Sequence, residues 1–251
     1  MINQGTTYRI NLGNSQPQKS VEFDHLIVTR GNLNWVGGGF SPAHSERRIH
    51  LMNRTVRPSI EQQTNKNFKF ISLWNEKPTH AGIDGEIMEV MKSKFILNKT
   101  FTKTPVIHNA EIVEICKKHI TKNYVLVTKV DNDDCLGMNF VDVLQKNVDI
   151  INYPYYYDIL AFRTYYMMTG VMEICKLPYT SMFLSVLEKS SDFVCYPYNY
   201  KHTQINSVLS GKHIRELDAL FTQHLDNSVA GAYGAPTRFN LKHYSPKLTQ
   251  Q

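Results

Sequence analysis

Three carboxylates, Asp131, Asp133 and Asp134, fall within four positions in the stretch "YVLVTKVDNDDCLGMNF". The apolar run Tyr124 to Val127 leads into them, and a second apolar segment follows. The acidic turn admits three readings. It can be a solvated turn whose carboxylates cap the next helix. As an EF-hand, it would place Asp131, Asp133 and Asp142 at loop positions one, three and twelve, but Cys135 would fill a ligand position and Leu136 the position that needs Gly, so this reading fails. The third reading is a divalent-metal site. Mg²⁺ and Mn²⁺ prefer carboxylate oxygen and often bind through one or two carboxylates, with substrate phosphates completing the shell. Only this last reading explains why the aspartates end an apolar strand.

The elements around the turn alternate. "HLIVTRGN" reads as a buried strand, Leu26 to Val28, with a loop at its carboxyl end. After the glycine-rich "VGGGFSP", Ile49, Met52, Val56 and Ile60 follow helical spacing, with Pro58 expected to kink or end that helix. Phe68 to Trp74 is the next strand. Asn109 is placed as an N-cap for a helix carrying Ile112, Ile115 and Cys116 to about His119, and Phe140, Val143 and Leu144 mark a helix after the turn. This order predicts an α/β sandwich with mostly parallel strands, in which ligands bind at the carboxyl ends of the strands.

The later half is less regular. "DIINYPYYYDILAFRTYYM" reads as two strands joined by a Pro/Tyr turn, "SMFLSVLE" as a short helix and "FVCYP" as a strand. Ile214, Leu217, Leu220, Phe221 and Leu225 read as an amphipathic helix that also carries His213 and His224 at its surface. The expected organisation is a flexible arm over 1–20, one catalytic domain over 21–225 and a basic tail over 226–251. Within the domain, about 21–148 is the donor-binding half and about 149–225 the acceptor half.

"VTKVDNDDCLGMNFVDVLQK" resembles the metal-binding segment of GT-A glycosyltransferases, whose DXD motif holds a metal-bound nucleotide-sugar. Within them it most resembles the putative rhamnosyltransferase family. "DHLIVTRGN" resembles that family's first strand and Thr-Arg loop, and "IHLMNRTVRPSIEQQTNKNFKFISL" its helix, Gln-Thr turn and second strand. These segments span residues 24 to 146, and a weaker likeness around "FVCYPYNYKHTQIN" extends it to about 206. Lys129 stands where the family more often has Arg, and Gly31 where an aromatic residue is usual.

The resemblance implies a GT-A-like mixed sheet flanked by helices and a nucleotide-sugar donor, UDP- or dTDP-linked, used with Mn²⁺ or Mg²⁺. It implies that Thr29, Arg30, Asn32 and Lys129 contact the nucleotide and its phosphates, that Asp131 contacts ribose, and that Asp133 or Asp134 ligates the metal. It also implies a late metal or diphosphate ligand, for which His202 is the candidate beside the alternative of an exposed loop histidine. An inverting reaction would need a carboxylate base, and Glu188 and Asp192 are the candidates; a charged helix end explains them equally.

A formal charge of +6 and a pI near 9.0 give a field that attracts polyanions, although the dispersed basic residues form no stripe. The resemblance implies a surface glycan as acceptor, and the basic charge also suits a hydroxymethylated base in modified phage-type DNA. The competing class is a non-catalytic nucleic-acid-binding protein on the same scaffold. Neither an export signal nor a membrane-length apolar run is evident, which leads to an expected cytoplasmic location. Cys116, Cys135, Cys175 and Cys195 have neither the spacing of a metal ligand set nor that of a disulfide framework.

Overall fold

The computed structural model describes residues 23–31, 42–75, 95–100, 109–167, 171–175, 180–223, 235–236 and 243–245. The arm over 1–20, Asn32, most of the glycine-rich loop, His224 and Leu225 lie outside the described residues.

A seven-stranded sheet forms the body. Its strands are β1 (Phe23–Arg30), β2 (Lys69–Asn75), β3 (Phe95–Thr100), β4 (Tyr124–Lys129), β6 (Tyr155–Ile159), β9 (Ser185–Lys189) and β10 (Ser210–Ile214). They stand in the order β10-β6-β9-β4-β1-β2-β3. Only β9 runs against its neighbours; the other pairings are parallel. A smaller sheet, β12-β8-β7-β11-β5, is built from β5 (Cys135–Leu136), β7 (Phe162–Tyr166), β8 (Val171–Cys175), β11 (Ala219–Gln223) and β12 (Ala235–Pro236). This is the mixed α/β architecture that the alternating first half predicts.

The central strands are apolar on both faces because helices cover both. On one face Ile27, Phe70, Leu126 and Leu187 meet α1 (Pro42–Arg54), α2 (Val56–Glu61) and α4 (Phe140–Asn147) through Ile49, Met52, Ile60, Phe140 and Leu144. On the other, Leu26, Val28, Ile71, Val125 and Val127 meet Ile112, Ile115 and Cys116 of α3 (Asn109–Lys117) and Tyr198 of α5 (Tyr196–Asn199). Such double burial is the rule for parallel sheets.

The helix that Pro58 is expected to kink or end is interrupted one turn before the proline. The helix breaks at Thr55, and Pro58 is the third residue of α2, where a missing N–H costs nothing. The Arg54 carbonyl, which Pro58 cannot serve, instead accepts from the Ser245 hydroxyl at 2.6 Å. Gln62 donates to the His243 carbonyl and Tyr244 is fully buried, so the chain returns to the domain beyond residue 226.

The later half departs from the sequence reading in four places. "SMFLSVLE" supplies β9, a strand and not a helix. "FVCYP" enters α5 and is not a strand. The stretch read as an amphipathic helix from Ile214 forms the end of β10, a turn and β11. The two strands of the Tyr-rich segment are present as β6 and β7, but the Tyr153–Pro154 cis bond precedes them both, and they belong to different sheets.

Candidate functional site

β1 and β4 are adjacent and parallel, with Val28 opposite Lys129, so both strands deliver their carboxyl ends to one edge. That edge is where sequence reasoning expects a ligand. Thr29 and Arg30 end β1, and the acidic turn follows β4.

Backbone and side-chain bonds from four directions hold the turn. The Asn132 amide donates to the Gly31 carbonyl, and its side-chain oxygen accepts from Arg48 of α1. The Thr55 hydroxyl donates to the Asn132 carbonyl at 3.2 Å. From β11, the Thr222 hydroxyl donates to the Asp133 carbonyl, and the Thr222 N–H donates to the Asp134 carboxylate at 2.9 Å. Asn132, buried between two aspartates, therefore ties the end of β1 to α1. Neither Asn132 nor Arg48 was singled out by the sequence; the Asn lies inside the acidic motif, and Arg48 is half of an "ERR" cluster with no distinguishing spacing.

The carboxylates have different environments. Asp131 is partly exposed and faces Arg30 at 3.7 Å. Asp133 is buried against the Arg48 guanidinium at 3.0 Å. Asp134 is fully buried, and its Oδ2 has no hydrogen-bond partner. Burial first, and then the charges of Asp133 and Asp131, push the Asp134 carboxyl well above the ordinary carboxylate range. The Thr29 hydroxyl is likewise buried with no partner.

The cations share a platform. Tyr198 donates its hydroxyl to the Val28 carbonyl at 2.7 Å, and its ring lies 5.9 Å from the Arg30 guanidinium and 5.8 Å from the Lys129 ammonium. Burial pushes the Lys129 ammonium pKa down; Asp131 and Asp134 oppose that shift, whereas Arg30 adds to it. His202 joins this group. Burial and the Lys129 charge lower its imidazole pKa while Asp131 raises it, so the ring is held neutral, the form that binds a metal.

The two candidate bases are not part of the cluster. Glu188 pairs with Val125, three positions along β9 from the Ser185 level, which matches Thr128. It therefore sits about 10 Å down the sheet from the carboxyl edge. Its carboxylate accepts from the N–H groups of Val194 at 2.9 Å, Cys195 at 3.0 Å and Tyr196 at 2.9 Å, fixing the turn that aims α5 back towards Tyr198's contacts. Burial lifts its pKa from 4.5 to about 7, against those three bonds. Asp192 lies further along the same end, exposed on the 3-10 turn Ser190–Asp192.

Among the described residues, no group of three or more His, Cys, Asp or Glu is arranged to hold a metal by protein ligands alone. A partial shell remains compatible with the chemistry of the turn, because the unpartnered Asp134 oxygen and the clustered negative charge are what a hard cation would satisfy. All four cysteines are free and buried.

A parallel-rich sheet with one reversed strand thus carries, at its carboxyl edge, an acidic turn flanked by cations. The family model "Putative rhamnosyl transferase" matches residues 39–235, and the chain belongs to that family. Its class is accordingly glycosyltransferase.

Among solved structures, the chain is similar to a "putative nucleotide-diphospho-sugar transferase" from Desulfovibrio desulfuricans G20, at 9% identity and TM-score 0.39, covering 81% of this chain and 83% of that one. It is also similar to a "putative glucose-1-phosphate thymidylyltransferase" from Bacillus anthracis, at 12% and 0.44, covering 79% and 89%. The glycosyltransferase GlyE of Streptococcus pneumoniae TIGR4 matches at 11% and 0.41, covering 76% and 45%. Comparison with curated proteins found no match. No helix among the described residues is long and apolar enough to cross a membrane.

Proposed function

We propose that the protein transfers a sugar, rhamnose by its family's description, from a dTDP- or UDP-linked donor to a hydroxyl acceptor, with a divalent metal at the acidic turn. The observation that carries this reading is the Asp131–Asp134 turn at the end of β4, set beside Arg30 and Lys129. Arg30 and Lys129 meet the donor's diphosphate, and the exposed oxygens of Asp131 accept from ribose hydroxyls. Asn32, next after the Gly31 that Asn132 holds, is proposed as a further nucleotide contact.

Asp133 and Asp134, with the neutral imidazole of His202, would hold Mn²⁺ or Mg²⁺. When bound, such an ion neutralises charge on the departing diphosphate. The chain's own part is to hold the diphosphate between Arg30 and Lys129, to keep His202 deprotonated by burial, and to fix the turn through Asn132 and Thr222. The cytoplasm is the proposed location.

A surface glycan is the leading acceptor. The net charge of +6 supports one other, a hydroxymethylated base in DNA, and a gel-shift titration against salt separates the two because phosphate contacts make affinity fall steeply with ionic strength. The reading as a whole is tested by turnover of dTDP-rhamnose and UDP-glucose. Asp133→Ala should abolish release of the nucleoside diphosphate while leaving the circular dichroism spectrum unchanged, and wild-type turnover in that variant would sink the assignment.

A further inference from the structure

His213 lies in register with Asp158 across the parallel pair β10 and β6. Its Nδ1 is 3.3 Å from the Ile159 carbonyl and 3.5 Å from the Asp158 carboxylate. A carbonyl can only accept, so Nδ1 carries the hydrogen, and in the neutral ring the lone pair is left on Nε2. The His213 side chain is 41% exposed, whereas Asp158 is fully buried. The Ser181 N–H, at 2.7 Å, and the Ser181 hydroxyl hold the Asp158 carboxylate in place. An exposed imidazole backed by a fixed, buried carboxylate is the arrangement of a general base and its orienting partner.

Its position suits the proposed reaction. Tyr157 pairs with Ser185, and Ser185 pairs with Thr128, so Asp158 stands level with Lys129, at the edge that carries the acidic turn. β10 is three strands from β4, a lateral distance of about 14 Å. A donor sugar and an attacking hydroxyl fill a gap of that order. A chain of contacts also connects the dyad to the site. Ser181, which grips Asp158, follows Thr180, whose hydroxyl donates to the His202 carbonyl. Gly211 completes the setting, because a Cβ there would lie 2.2 Å from the Tyr156 ring, which packs edge-on to His213 at 6.3 Å.

Resting on the glycosyltransferase reading, we propose that His213, oriented by Asp158, is the general base that deprotonates the acceptor. The acceptor O–H proton passes to Nε2, and its oxygen forms a bond to the anomeric carbon. The bond from that carbon to the phosphate oxygen breaks, and the nucleoside diphosphate leaves with the electron pair. This single displacement inverts the anomeric centre. Asp158 touches no substrate and is a positioning residue.

The test compares wild type, His213→Gln and Asp158→Asn, using dTDP-rhamnose as donor and p-nitrophenyl glycosides and water as acceptors. His213→Gln should lower kcat by about 10²–10⁴-fold and leave the thermal shift produced by dTDP with Mn²⁺ unchanged. Asp158→Asn should lower kcat with little change in donor KM. Nitrogen NMR of labelled histidine reads the tautomer without any acceptor, and should find the hydrogen of the neutral ring on Nδ1. Full rate in His213→Gln, or a hydrogen on Nε2, overturns the proposal while leaving the donor site standing. Absence of a wild-type shift with nucleotide and metal instead removes the functional reading, and this inference with it.

Discussion

The Arg48 guanidinium lies 3.0 Å from the Asp133 carboxylate and also donates to the Asn132 side chain, so a cation from α1 already flanks the acidic turn. Burial first, and then repulsion from Asp133 and Asp131, raise the Asp134 carboxyl well above the usual carboxylate range. Arg48 offsets part of that charge. Both partners are largely buried, so Arg48→Ala should cost about 3–5 kcal/mol by leaving Asp133 unpaired. If a divalent ion can take over part of that role, Mn²⁺ should raise the thermal midpoint more in Arg48→Ala than in wild type. Equal shifts in the two proteins would show that ion and guanidinium answer different charges.

Lys129 makes donor affinity dependent on pH. Its ammonium is depressed below 10.5, chiefly by burial, and only the charged form attracts a diphosphate. Affinity for dTDP should therefore fall on the alkaline side at a pH below the ordinary lysine value. Calorimetric titration of wild type and Lys129→Met checks this, because the variant should bind more weakly and lose the alkaline fall.

Glu188 makes stability depend on pH in the opposite part of the range. The unfolded carboxyl loses its proton near 4.5 and the folded one keeps it to about 7. Between those values the folded state binds more protons, so stability falls as pH rises, by roughly 3 kcal/mol across the window. Urea melts should show this decline in wild type and a flatter profile in Glu188→Gln. A wild-type profile that rises from pH 4.5 to 7 would contradict the burial argument.

Tyr198 separates anchoring from charge placement. Tyr198→Phe removes the bond to the Val28 carbonyl, for about 1 kcal/mol, but keeps the ring on which Arg30 and Lys129 rest. Nucleotide affinity should survive in Tyr198→Phe and weaken several-fold in Tyr198→Leu, as measured by calorimetry.

The first half of the fold was legible in the sequence because its strands are apolar on both faces and alternate with helices. Leu26 to Val28, Phe70 to Leu73 and Val125 to Val127 read directly as buried strands, and the acidic turn was visible as a charge cluster ending one of them. The later half was not legible, for identifiable reasons. "SMFLSVLE" is continuous and apolar because β9 lies inside the sheet, and such a run carries no period that separates strand from helix. Ile214, Leu217, Leu220 and Phe221 match helical spacing by coincidence, since a turn at Asp218, which Arg163 and Tyr244 bind, divides them between two sheets. Reading that segment as a helix also hid the strand register that sets His213 beside Asp158. The pairing of Arg48 with Asp133 joins residues 85 positions apart, and no local pattern announces it.

The central claim is that the Asp131–Asp134 turn holds a nucleoside diphosphate through a metal. The most direct measurement is the thermal shift given by dTDP and UDP, each with Mn²⁺ and again with EDTA, on wild type and Asp133→Asn. The account predicts a stabilisation that needs both the nucleotide and the metal and disappears in the variant. A shift that persists in EDTA and in Asp133→Asn, or no shift with either nucleotide, would contradict it.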